Sequence, residues 1–110
     1  MQHESLTTLT HDHLEKAVTA TSGRSAHTIH GGHEHVLRQT LIALRSGSGL
    51  DEHESPGEAT LQVLHGQVTL VAGDETWNGS VGDLMIIPDA RHALHAVEDS
   101  VVLLTVAKSL

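Results

Sequence analysis

The sequence predicts an all-β domain, an antiparallel barrel or sandwich, entered through a short N-terminal helix. Three observations carry that prediction. The chain has 110 residues, the length of a single domain with a core of its own. Beyond Gly23 it breaks into eight short apolar or β-branched runs. Turn-forming residues separate those runs at close intervals, and many short strands closely spaced fold as antiparallel barrels or sandwiches.

The elements follow in order. Thr10 is read as the N-cap of the helix, Asp12 sits where the helix dipole favours an anion, and Leu14, Ala17 and Val18 recur at helical spacing. Gly23 is the expected stop. The strand-like runs are 26–30, 36–44, 60–65, 68–72, 75–77, 84–87, 93–97 and 101–107. Turns are expected at Gly31-Gly32, Gly47-Ser48-Gly49, Ser55-Pro56-Gly57, Gly66-Gln67, Gly73-Asp74, Asn78-Gly79 and Glu98-Asp99-Ser100. This divides the chain into an N-terminal arm, 1–25, and a β-domain, 26–110.

Three runs, Leu41-Ile42-Ala43-Leu44, Leu84-Met85-Ile86-Ile87 and Val101-Val102-Leu103-Leu104, offer apolar side chains to both faces of a sheet. One face fills the core and the other must meet protein. A homodimer supplies that second surface, or else a neighbouring sheet or the N-terminal helix covers it within one chain.

Composition removes several function classes. Six Lys+Arg against fourteen Asp+Glu give a formal charge of −8, which argues against a nucleic-acid partner. There is no Cys, so disulfides, thiolate metal sites and Cys nucleophiles are excluded. No run approaches a membrane span and the N-terminus has no signal-peptide pattern; the expectation is a soluble, cytoplasmic protein. The anomaly is eleven His, whose full protonation would carry the formal charge from −8 to +3 and make solubility or dimerisation sensitive to mild acid.

Two segments resemble the paired signatures of the cupin family, small jelly-roll β-barrels. The first family motif is G-x5-H-x-H-x3-E-x6-G; here Gly47, His53 and Gly66 keep its frame. The second is G-x5-P-x-G-x2-H-x3-N; here Gly82, Pro88 and His92 follow it, with His92 one residue nearer Pro88 than the pattern asks. Gly66 and Gly82 suit positive φ at hairpin turns, and Pro88 suits a strand end. The resemblance implies a cupin-type antiparallel jelly-roll barrel and a metal held by three His and one Glu. Only two of those four ligands match: His53 and His92. Ser55 stands at the second His, Ala59 at the Glu, Ala90 at the motif-two Gly and Ala96 at the Asn.

Neighbouring residues are weighed by strand alternation. With His53 inward, Ser55 also faces in, as do Ala59, Leu61 and Val63, while Glu58 faces out unless a bulge turns it. Leu94 faces in and His95 out. A third imidazole would come from upstream: His33 and His35 share a face on an extended segment, and one of His30, His33 or His35 would complete a His3 site suited to Zn, Fe, Ni or Cu rather than Mg or Ca. His3, His11, His13 and His65 are read as structural, titrating near the ordinary value. Ser55 beside His53 lacks an oriented base and an oxyanion hole, so it is not read as a nucleophile. Asp51, Glu52 and Glu54 form a solvated rim, and Trp77 a packing or dimer contact.

Two functions remain open on the sequence. One is a binding or regulatory module, in which Ser55, Ala59, Leu61, Ile87 and Leu94 line a cavity for a small molecule. The other is a metal-dependent enzyme of the dioxygenase, isomerase or lyase type found in the family, using a His-only site.

Overall fold

The computed structural model describes residues 3–55 and 57–108; Pro56 of the expected 55–57 turn lies outside them. Helix α1 (Leu6–Thr19) begins at Ser5, whose hydroxyl accepts from the Thr8 amide at 3.2 Å. The N-cap is therefore Ser5 and not Thr10, which lies inside the helix. The reason is packing: Leu9 belongs to the same buried stripe as Leu14 and Ala17, so the apolar face extends a turn further upstream. Ala20 ends the helix, and Gly23, at φ 71°, turns the chain into the first strand.

Among the described residues nine strands follow: β1 (Arg24–His30), β2 (Leu37–Leu44), β3 (Gly49–His53), β4 (Glu58–His65), β5 (Gln67–Ala72), β6 (Glu75–Ser80), β7 (Leu84–Ile86), β8 (His92–Ala96) and β9 (Ser100–Ala107). All pairings are antiparallel. One sheet runs β1-β2-β9-β4-β7 and the other β3-β8-β5-β6. Strand β3 had no place among the apolar runs because most of it is polar and exposed.

Asn78-Gly79, expected as a turn, lies instead within β6, where Asn78 pairs with Thr69 and Gly79 with Val68. Glycine serves packing there. A Cβ on Gly79 would sit 2.6 Å from Met85 Sδ and 3.2 Å from Val63 Cγ2. The chain reverses one step later, through Gly82 at φ 92°, with the Ser80 amide donating to the Asp83 carboxylate at 2.8 Å.

The described residues form two hydrophobic cores. The larger, between the sheets, contains Ile42, Leu44, Leu61, Val63, Leu70, Leu94 and Val102 among others. The smaller lies between α1 and the outer face of the five-stranded sheet, where Ala17, Leu41, Ala43 and Val101 are buried with Leu9, Leu14, Ile29 and Leu64 against them. The second face of the β2 and β9 runs is thus covered by the chain's own helix, the within-chain alternative. The third run is not covered in this way: Leu84 is 61% and Ile86 72% exposed. Beside them Trp77 lines a groove of about 420 Å³ with Leu70, Asn78, Asp83 and Met85. No helix among the described residues is long and apolar enough to cross a membrane.

Candidate functional site at the barrel mouth

His53 ends β3 and His92 opens β8, and the two are cross-strand partners. Their pairing depends on a β-bulge. Leu50 faces Leu94, and regular register from there would put Glu52 opposite His92; the shift between Leu50 and His53 inserts one residue in β3 and brings His53 there instead. The rings meet edge to face, centroids 4.4 Å apart and planes at 63°. His92 is buried, His53 exposed.

Each imidazole is fixed by its own backbone. His53 Nδ1 lies 2.8 Å from the Asp51 carbonyl oxygen and His92 Nδ1 2.9 Å from that of Ala90. A carbonyl only accepts, so Nδ1 of both rings carries a proton, and in the neutral form of each ring Nε2 keeps a free lone pair. Such a pair can accept hydrogen bonds from a ligand or coordinate a metal ion.

The rim is ion-paired. Arg91 donates through Nε to Glu52 at 3.0 Å and through Nη1 to Glu54 at 2.9 Å, tying the end of β3 to the segment leading into β8. The hydrogen bonds that Arg91 donates to Glu54 and then to Glu52 raise its pKa above the ordinary value. These contacts are exposed to water, so they position the rim more than they stabilise the fold.

The expected pocket residues separate into three groups. Ala59 and Ile87 line an open depression of about 370 Å³ with Gly57, Glu58, Ile86 and Asp89. Leu61 and Leu94 are 2% and 3% exposed within the inter-sheet core. Ser55 is spent on its turn, donating to the Gly57 carbonyl oxygen at 3.0 Å. Strand β4 alternates as expected, with Ala59, Leu61 and Val63 buried and Glu58 exposed; Leu94 is buried and His95 exposed.

The upstream histidines form a separate group. His30 and His35 stack with centroids 4.4 Å apart, His33 is exposed, and His35 Nε2 lies 3.5 Å from Glu34. A second bulge, between Thr28 and His30, sets His30 opposite Gln39. His30 thereby lines a groove of about 620 Å³ with His3, Glu4, His27, Leu37 and Gln39. Among the described residues no group of three His, Cys, Asp or Glu is placed to hold a metal ion. The structure therefore brings His53 and His92 together without a third ligand from His30, His33 or His35.

One histidine departs from its expected role. His13 is buried under α1, its Nδ1 2.7 Å from Ser25 Oγ, and its ring stands 5.4 Å from that of His27, which meets Glu4 at 3.2 Å. Burial first, then the nearby Lys16 and His27, push its pKa below the ordinary value, against the small opposing pull of Asp12. The i, i+2 spacing with His11 concealed this, because only the strand beneath the helix buries one of the pair.

No protein-family model matches the sequence, and no curated protein does. Solved structures do match. A conserved protein of unknown function from Streptococcus pyogenes is 26% identical, with TM-score 0.75, covering 100% of this chain and 92% of its own. An RmlC-like cupin protein from Desulfovibrio desulfuricans is 25% identical with TM-score 0.66, covering 76% and 81%. The chain has the fold of a small cupin domain. The cupin barrel also superposes on a salicylate 1,2-dioxygenase from Pseudaminobacter salicylatoxidans, at 19% identity and TM-score 0.74, covering 91% of this chain and 33% of the dioxygenase; at that identity the likeness is one of fold. Of the four ligands that the motifs imply, only His53 and His92 stand at matching positions, and two imidazoles are fewer than the three His and one Glu of a complete centre.

Proposed function

We propose that this cupin is a small-molecule-binding module whose ligand seats at the barrel mouth against His53 and His92. The observation that carries the reading is the matched pair of rings, each locked by a backbone carbonyl with Nε2 left free. Such acceptors receive a ligand hydroxyl or ammonium, or coordinate a divalent transition ion (Zn, Fe, Ni or Cu) whose open positions a ligand fills. Ala59 and Ile87, grouped in the inter-sheet core with Leu94 of β8, are read as the apolar wall of the mouth. The fold likeness to the dioxygenase favours a second reading, metal-dependent catalysis; it requires a third protein ligand, which the described residues do not place beside the pair. A second copy of the chain is proposed to cover the exposed Leu84 and Ile86.

Calorimetric titration with Zn and with Ni tests the pair. The tightest site should be lost in both His53→Ala and His92→Ala and kept in a His30→Ala/His35→Ala variant. Retention in the first two and loss in the last would overturn it.

A further inference from the structure

Among the described residues one buried side-chain nitrogen or oxygen lacks a hydrogen-bond partner, and it is Nε of Arg38. Its place in the fold is informative. Arg38 in β2 pairs with Val106 in β9, and Val106 pairs with Ala59 in β4. Val106 and Ala59 belong to the core between the sheets, so the row crosses the inner face of the five-stranded sheet at the mouth. Ala59 is joined there to Ile87, whose amide donates to its carbonyl oxygen at 3.0 Å, and the chain runs on from Ile87 to His92.

The other arginines are employed. Arg91 pairs with Glu52 and Glu54, Arg45 donates to the Val18 and Ala20 carbonyl oxygens, and Arg24 to that of Gly49. Arg38 has no ion pair among the described residues, and its one hydrogen bond is a long 3.5 Å contact from Nη2 to the Gly32 carbonyl oxygen. Glu34, on the loop that carries Gly32, is turned to His35 instead. In a chain of net charge −8, a half-buried cation kept off every carboxylate, with a donor left unmatched, is an energetic cost that a ligand can remove.

We propose that Arg38 is the anion-recognising residue of the mouth and that the ligand is a small carboxylate, gripped side-on by Nε–H and Nη2–H of Arg38 with its body over Ala59 and Ile87 toward His92. This deepens, and rests on, the reading of the mouth as a small-molecule site. The Nε and Nη2 hydrogens share one edge of the guanidinium and match the two oxygens of a carboxylate, which a lysine cannot do. Entry requires the loop above Arg38 to give way. A Cβ on Gly31 would sit 3.7 Å from Arg38 Cγ, and Gly32 takes φ 119°, a backbone state open to glycine; the long Gly32 contact is the one a carboxylate would replace.

The test uses benzoate and its neutral isostere benzamide, followed by NMR on the Arg38 Nε–Hε and the His92 ring resonances. Benzoate is expected to shift both saturably and to bind about 10- to 100-fold more tightly than benzamide. Arg38→Gln and Arg38→Lys should each remove that preference while leaving the folded spectrum intact. Equal binding of the two probes, with His92 still perturbed, would overturn the Arg38 assignment and leave the mouth as a site. A benzoate response confined to residues away from Arg38 and His92 would overturn both. An Arg38 Nε–Hε signal already hydrogen-bonded in the free protein, and released by Glu34→Gln, would show that Glu34 satisfies it and would also overturn the assignment.

Discussion

Replacing Leu61 by alanine asks whether the barrel interior is a filled core or a ligand cavity. Leu61 is 2% exposed, lies in the inter-sheet cluster, and faces Leu104 and Met85 across its neighbouring strands. The substitution removes three buried carbons, about 2.4 kcal/mol at roughly 0.8 kcal/mol each. Every ~50 Å³ of vacated space that fails to collapse adds about 1.2 kcal/mol. The expected loss is therefore about 3–4 kcal/mol. For a chain of 110 residues the unfolding entropy is on the order of 0.23 kcal/mol/K, so the melting temperature should fall by about 15 °C. Calorimetry or denaturant titration reads this directly, with Val97→Ala, at a 56% exposed position, as a control expected to change stability by less than about 0.5 kcal/mol. A loss of under about 1 kcal/mol for Leu61→Ala would refute the packed interior and restore Leu61 as a cavity-lining residue.

Three further outcomes follow from the same packing and electrostatics. Gly79→Ala should destabilise by about 1–3 kcal/mol through overpacking against Met85 and Val63, and Met85→Ala in the same chain should recover part of that loss; no coupling between the two in a double-mutant cycle would place Gly79 elsewhere. His13, with its pKa lowered in the folded state, binds its proton more readily when unfolded. Its contribution to stability is thus complete above the unfolded value of about 6.5 and declines as pH falls through that value toward the folded pKa. His13→Asn should flatten the fall of the denaturation midpoint between pH 7.5 and 5.5, and an unchanged slope would count against the buried imidazole. Ile86→Glu, at a 72% exposed position, should leave the melting temperature of the monomer within about 0.5 kcal/mol in stability terms and abolish a dimer seen by light scattering; a dimer that persists would move the interface elsewhere.

The strand pattern was legible because β4, β8 and β9 carry apolar residues at the spacing that buried strands require, and because Gly66 and Gly82 do take positive φ, 79° and 92°. What escaped the sequence were features decided across strands. Strand β3 is polar at Asp51, Glu52 and His53, so Leu50 alone marks it as apolar. The role of Gly79 is set by Met85 and Val63, residues distant in the chain. Helix α1 takes the surface of Leu41, Ala43 and Val101 that a second copy could equally have covered, and the sequence holds no rule for choosing between them. In the site, His53 and His92 were visible from the cupin motif frame, but the bulge that turns His53 to face His92 follows from register alone. Arg38 had no motif to announce it. Its signal is an unmatched donor, which exists only once the chain is folded.

If His53 and His92 present two free Nε2 atoms at one mouth, nitrogen-15 NMR of the imidazole tautomers above pH 7 will show it. Both rings should carry the proton on Nδ1, and adding Zn should shift the Nε2 signals of His53 and His92 together, with His92→Ala erasing the response at His53. A protonated Nε2 on either ring, or a Zn response at His30 and His35 that leaves His53 and His92 untouched, would contradict it.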